Sequence, residues 1–263
     1  MNLNTIGKYL KMLSEFHRIN KSAYKNSRNI NILRRNSELR DRYNGKRIVL
    51  IFTGSSVNNI SFKLLNNEYV LGCNFSVLHK DFENLNINFY LELETWSYRL
   101  YAFFRWLLEI VYNKTKPGTK VFLHASSYDL VKTIFGFRKK DTYYIGSNSR
   151  FNDVSNVYAK IEEMTNIITG GCFSASIAIA IYMGFKTIYL IGADYAKDPM
   201  ISGHFYDGVK SLTKPSPELI KDHEIINEFA KSRGADIYNI VDKGFTSRTF
   251  KQINTEEFIK IIG

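Results

Sequence analysis

Apolar residues in this chain gather in short, nearly unbroken runs, and the stretches between them carry a helical repeat. The runs are "KRIVLIF" (46–52), "EYVLGCNF" (68–75), "INFYLEL" (87–93), "TKVFLH" (119–124), residues 143–146, "KTIYLIG" (186–192) and "ADIYNI" (235–240). Their length and their β-branched and aromatic content predict seven strands. Several are continuously apolar rather than alternating, so both faces of each strand must be covered, as in a parallel sheet. Asn58 to Leu65 reads as a helix after the first strand. "ETWSYRLYAFFRWLLEIVYNK" is apolar almost all round, broken by Arg99, Arg105 and Glu109, which predicts a deeply buried helix. Its alternative is an interfacial helix that lays Trp96 and Trp106 at lipid headgroups.

Ahead of the first strand, Leu3, Ile6, Leu10 and Leu13 step by three and four, with Phe16 near the next turn, and so form a helical seam. "INILRRNSELRDRYNG" predicts a second helix stopped by Gly45. Strand and helix then alternate to the end. The expected fold is α/β, Rossmann-like, with a mostly parallel sheet flanked by helices over 46–263 and a basic helical extension over 1–45.

Composition changes the picture in three places. A chain of 263 residues is long enough for one substantial core, and only four prolines leave little room for disordered tracts. Cys73 and Cys172 have no C-x-x-C spacing, which argues against a disulfide framework or a zinc site and makes the cytoplasm the expected compartment. Neither a signal-peptide core nor an uninterrupted membrane span stands out. Charge is the third: of a net +11, the first 45 residues hold ten Lys/Arg against three Asp/Glu. Such an arm either meets an anionic partner, a membrane surface above all, or is a solvated basic helix. The body carries no nucleic-acid motif, so nucleic acid is not an expected partner.

Two glycine junctions carry the candidate chemistry. In a parallel α/β sheet, ligands bind beyond the carboxyl ends of strands, where glycine lets backbone approach and a following helix offers free N–H groups. The first junction is Thr53-Gly54-Ser55-Ser56, which matches neither the dinucleotide nor the P-loop pattern. At the second, Thr169-Gly170-Gly171 opens a helix lined with Ser174, Ala175, Ser176, Ala178 and Ala180, and its N-terminus suits a phosphate. After the next strand, Gly192-Ala193-Asp194 places a carboxylate and Tyr195 at the same edge.

The blocks "IVLIFTGSSVNNISFKLLNNEYVLGCNFSVLH" and "ITGGCFSASIAIAIYMGFKTIYLIGADY" resemble two related groups, the bacterial sialyltransferases of glycosyltransferase family 42 and the MptE-like polysaccharide-biosynthesis group. The lead-in "INILRRNSELRDRYNGKRIVLIF" resembles the second group. Carried over by position, Thr53, Gly54, Ser55, Ser56 and Asn74 would hold the nucleotide, and Thr169, Gly170 and Gly171 the nucleotide sugar. Phe52 stands where the family has a glycine, Thr53 where it has an asparagine, and Ile167 where the sialyltransferases have an arginine. The resemblance thus implies a nucleotide-activated, CMP-linked donor whose sugar it leaves open.

Transfer from such a donor needs a base for the acceptor hydroxyl and stabilisation of the departing phosphate. The resemblance implies an inverting reaction without metal or cofactor, with a histidine as base and tyrosines on the phosphate. Of five histidines, His204 in "KDPMISGHFYDG" sits where the family keeps its acceptor-facing lid, with Tyr206, Tyr195 and Asp194 completing the catalytic set; His223 is the reserve base. Two alternatives stay open: a pterin pyrophosphokinase using magnesium, and a non-catalytic basic protein that binds lipid or nucleic acid. The expected setting is a surface glycan, lipopolysaccharide or capsule, built at the inner face of the cytoplasmic membrane by a protein that either stays monomeric or forms a homo-oligomer.

Overall fold

Among the described residues, eight strands form one sheet in which every neighbouring pair runs parallel. The computed structural model describes residues 30–93, 101–134, 141–146 and 171–263, with positions 7 and 14 in isolation. In chain order the strands are β1 (Arg47–Ile51), β2 (Tyr69–Cys73), β3 (Phe89–Glu92), β4 (Lys120–His124), β5 (Thr142–Ile145), β6 (Thr187–Ile191), β7 (Lys197–Asp198), β8 (Met200–Ser202), β9 (Ser211–Thr213), β10 (Asp236–Val241), β11 (Thr246–Ser247) and β12 (Lys251–Asn254). The sheet order is β12-β10-β6-β1-β2-β3-β4-β5; β7 with β11, and β8 with β9, form small antiparallel ribbons.

The apolar runs fold as they do because each strand is sandwiched. Ile48, Leu50 and Phe52 of the first run join one core, while Val49 and Ile51 join the other. The helices are α1 (Ile30–Leu33), α2 (Tyr101–Lys114), α3 (Tyr128–Ile134), α4 (Gly171–Tyr182), α5 (Pro217–Ser232) and α6 (Thr255–Ile262). Helix α4 is buried from Phe173 to Tyr182 and lies across β1, β2 and β3 beside α5. Its serines and alanines permit that close approach. The chain steps from β1 outward to β5, returns through α4 to β6 on the other side of β1, then continues to β10 and β12. The order therefore reverses between β1 and β6, and at such a switch point a crevice opens beyond the carboxyl ends of the strands.

All seven expected strands are present in the sheet, and the structure adds an eighth to it, besides the four short strands of the two ribbons. β12 was not legible as a strand because its "KQIN" is exposed at three of four positions; it pairs with β10 at the sheet edge. The helix expected over 58–65 is instead two 3₁₀ turns, Ser55–Asn59 and Phe62–Leu65, with Ile60 extended between them. Serines and asparagines here bond to other parts of the protein, as described below, which favours turn over helix. The helix expected to be deeply buried is one-sided: α2 buries Leu107, Leu108, Val111 and Tyr112 but leaves Phe103 and Trp106 in solvent.

Where a second helix was expected before Gly45, α1 leads into a 3₁₀ segment, Arg34–Leu39, that packs onto the sheet. Leu33 and Leu39 are buried, and the Asn36 amide donates to the Tyr144 carbonyl at 2.7 Å. The leader seam and most of its charge lie outside the described residues. No helix among the described residues is long and apolar enough to cross a membrane.

Candidate functional site

The loops after β1 and β6, on either side of the switch point, are tied to each other. The Gly54 N–H donates to the Gly192 carbonyl at 2.9 Å. Ser55 Oγ and the Ser56 N–H both donate to Asp194 Oδ2 at 3.0 Å, and Ser56 Oγ donates to Asp194 Oδ1. Lys197 Nζ lies 3.0 Å from Asp194 Oδ1 and 3.0 Å from Asp242 Oδ2, which carries the network to the end of β10. Both Asp194 and Lys197 are fully buried. Burial alone would raise the Asp194 carboxyl, but the Lys197 ammonium and the hydrogen bonds from Ser56 outweigh it and hold Asp194 below the usual carboxylate value. The expected carboxylate at the ligand edge is thus enclosed, and the donors of Ser55 and Ser56 are taken up by it.

Above this anchor lies the β8–β9 hairpin, which brings His204 back onto β1. The Phe205 N–H donates to the Thr53 carbonyl at 2.8 Å, and His204 Nδ1 is 2.8 Å from Thr53 Oγ1. Asp207 Oδ2 accepts from the His204 N–H at 2.8 Å and closes the turn. The His204 ring is exposed and stacks on Tyr206 at 5.0 Å.

A second group forms where β2 ends under the start of α4. Asn74 takes a left-handed conformation (φ 48°), and its carbonyl accepts from the Tyr90 hydroxyl. Cys172 Sγ donates to Asn74 Oδ1 at 2.6 Å, which pins the first turn of α4 to the β2 loop. Gly171, with φ 65°, opens the helix and is exposed. Phe75, the next residue after Asn74, meets Tyr206 edge-on at 5.5 Å, so the two groups adjoin. Thr169 and Gly170 lie outside the described residues. Tyr195 is half-buried against Phe173 at 5.1 Å, and burial, followed by the nearby Cys73 and Cys172, raises its phenol well above its ordinary value.

The other histidines separate clearly from His204. His223, the reserve base, is 1% exposed among Phe173, Phe250 and Tyr195, with neither ring nitrogen bonded, and burial followed by Arg248 pushes its pKa down to about 4. His124 is buried likewise and lowered to about 4. His79 is buried against Phe62 and bonded to Asn58 Oδ1 at 2.9 Å. His17 lies outside the described residues.

Among the described residues, no group of three or more His, Cys, Asp or Glu stands together as metal ligands would. Asp198 faces Arg248 at 3.7 Å and Asp207 is engaged with the His204 backbone. A groove of about 460 Å³ at the ends of β10 and β12, lined by Asp242, Lys243, Phe245, Asn254 and Glu256, holds none of the residues singled out in the sequence. Lys197 and Asp242 went unnoticed there; a lysine three residues after the junction aspartate was the one available signal.

These features define a doubly wound α/β protein with a candidate site at its switch point. The chain matches no protein-family model and no curated protein sequence. Among solved structures it is similar to the MAf glycosyltransferase from Magnetospirillum magneticum AMB-1, with TM-score 0.50 and 13% identity over 86% of this chain and 38% of that one. It is also similar to two Campylobacter jejuni proteins. One is the sialyltransferase CstII in complex with cytidine-5'-monophosphate, with TM-score 0.46 and 16% identity over 74% of this chain and 80% of that one. The other is the alpha-2,3-sialyltransferase Cst-I, with TM-score 0.46 and 19% identity over 76% and 77%. At such identities what is shared is the fold.

Proposed function

We propose that this protein is a glycosyltransferase that moves a sugar from a nucleotide-activated, CMP-linked donor to a glycan acceptor, with inversion and without a metal. The observation that carries the reading is the meeting at one switch point of an exposed histidine held by Thr53 with the Asn74–Cys172 junction at the start of α4. A doubly wound sheet of this kind also underlies the MAf glycosyltransferase, which supports the reading.

In the proposed reaction, the Nδ1–H of His204 donates to Thr53 Oγ1, which leaves Nε2 with its lone pair toward solvent. Nε2 takes the proton of the acceptor hydroxyl as that oxygen attacks the anomeric carbon. The bond from that carbon to the phosphate oxygen breaks, and its electron pair leaves with the nucleotide monophosphate. The Asn74 amide N–H₂ and the free N–H groups from Gly171 onward form the phosphate cradle, where a helix N-terminus favours negative charge. Tyr206, stacked on His204, is the phenol nearest the reacting atoms. Asp194 acts by position: it fixes the Thr53–Ser56 loop on which the base rests. Ser55 and Ser56 hold that loop in place, and Tyr195 supports α4 from below.

The test begins with ligand-induced thermal stabilisation by CMP, UDP, GDP, ADP and ATP, each with and without magnesium; a ligand at 100 times its Kd adds about 2.7 kcal/mol. Stabilisation by CMP alone, with no magnesium requirement, is expected; stabilisation only by ATP with magnesium would replace glycosyl transfer by pyrophosphoryl transfer. With the donor in hand, His204→Ala should lower turnover by about 10²–10⁴-fold and leave CMP affinity unchanged. His223→Ala should do far less. Near-wild-type turnover in His204→Ala would remove the histidine from the mechanism.

A further inference from the structure

His204 stands at one end of a line of aromatic rings. Tyr206 stacks on it at 5.0 Å with the planes 20° apart, Tyr206 meets Phe75 at 5.5 Å, Phe75 meets Phe103 at 5.6 Å, and Phe103 meets Trp106 at 5.6 Å. Three separate segments supply the rings: the β8–β9 hairpin, the loop after β2 and helix α2. Phe103 and Trp106 share one helix face because they are three residues apart. Tyr206 is 42% exposed, Phe103 37% and Trp106 45%, although the same helix buries Leu107, Leu108 and Val111 completely. Phe75, which links them, is half-buried on the core, and large rings left in water on either side of it mark a binding surface rather than a folding requirement.

We propose that this ledge is the acceptor subsite, and that it takes the pyranose rings of an oligosaccharide. The proposal rests on the glycosyl-transfer reading above and adds its acceptor side. A pyranose presents one face of axial C–H groups, apolar and weakly positive, which suits the negative face of an aromatic ring, while its hydroxyls remain in water. The terminal sugar would bring its hydroxyl to His204 Nε2, and the preceding sugars would lie along Tyr206, Phe75, Phe103 and Trp106. Two observations favour a sugar over a lipid surface or a second copy of the chain. The line of rings ends on His204, the proposed base, where an acceptor hydroxyl has to arrive. Among the described residues, charges of both signs accompany the rings, with Arg105 paired to Glu109 at 3.0 Å and Asp207 by the base, a mixture that an anionic bilayer does not favour.

The experiment measures binding of wild type, Phe103→Ala and Trp106→Ala to an array of galactose-, glucose- and N-acetylglucosamine-terminated oligosaccharides, then by calorimetry to the best of them, with CMP binding measured in parallel. Both side chains are exposed, so the variants should fold. The expected result is at least tenfold weaker oligosaccharide binding in Trp106→Ala, a comparable loss in Phe103→Ala, and unchanged CMP affinity in both. Wild type that binds CMP but no oligosaccharide overturns the ledge and leaves glycosyl transfer standing. Oligosaccharide binding that depends on Trp106 without any nucleotide binding keeps the ledge and overturns the glycosyl-transfer reading. Three other results also overturn the ledge: equal oligosaccharide affinity in all three proteins, binding to phosphatidylglycerol vesicles as the property lost in Trp106→Ala, and conversion of a dimer to a monomer in that variant.

Discussion

The two glycine junctions read alike in the sequence and work by different physics. At Gly54 the constraint is space: a Cβ there would run into the Gly192 carbonyl and come within 2.7 Å of Asp194 Cγ, while its own backbone (φ −61°) is one any residue adopts. At Gly171 the constraint is backbone conformation: φ is 65°, yet nothing lies within 4 Å of the position a Cβ would take. Gly54 is therefore a packing residue inside a buried ionic network, and Gly171 is a left-handed residue at the exposed start of α4. The first junction is closed by hydrogen bonds and an ion pair within the protein. At the second, Gly171 itself is exposed.

That contrast makes ordered predictions. Lys197→Met should have the largest effect, since it leaves Asp194 and Asp242 without their shared cation; breaking one partner of a buried pair costs about 3–5 kcal/mol. Urea unfolding measures it, and pairing the change with Asp194→Asn should recover part of the loss. A loss below about 1 kcal/mol would mean that the first junction is not held by this network.

Gly54→Ala comes next, at about 3 kcal/mol, near the top of the range for overpacking because the obstructing atoms are backbone and a buried carboxylate. Unchanged unfolding in this variant would erase the distinction between the junctions.

Acid separates the two regions by pH window. His223 packs on Phe173 of α4, and its folded pKa of about 4 lies below its ordinary 6.5, so the unfolded chain binds the proton more readily. Stability is full above pH 6.5 and falls as pH drops toward 4, by about 2 kcal/mol between pH 7 and pH 5 from this residue. Asp194 is shifted the other way relative to its charged form: its contribution is present above the unfolded value of 3.8 and is lost only below it, as pH falls through the folded value. Denaturant unfolding against pH should show both windows, and His223→Phe should flatten the upper one alone. An unaltered upper window in that variant would assign it to other groups, His124 first.

Gly171→Ala should have the smallest effect, about 1 kcal/mol for holding an L-residue in the left-handed region, with CMP affinity changed less than tenfold. A large loss of binding would show that the donor packs against the Cβ side of residue 171 as well as against the N–H groups of the cradle.

Much of the framework was legible from the chain alone. Seven strands were readable because a strand buried on both faces must be apolar at consecutive positions, and that requirement is local. Helix α4 was readable from its small residues, which close packing on the sheet demands. β12 was not, because an edge strand with three exposed positions carries no apolar run. The helix expected at 58–65 failed because the apolar spacing of Val57, Ile60, Phe62 and Leu65 serves 3₁₀ turns equally well, and the side-chain bonds of Asn58 with His79 and of Asn59 with Asp242 favour the turns.

For the site, the sequence determined which residue types stand at the two junctions and in the loop bearing His204. Tertiary structure decided what each of them does. Thr53 and His204 are 151 residues apart, Ser55 and Asp194 139, and Asn74 and Cys172 98, and no local pattern encodes such pairings. They arise because the chain reverses its direction of travel across the sheet at β1, which brings the loops after β1 and β6 side by side. The same reversal buries one acidic side chain beside Lys197 and leaves one imidazole in solvent. Burial, the Lys197 ammonium and the hydrogen bonds from Ser56 then set the charge state of Asp194, and the Ser56 donors come from a distant part of the chain.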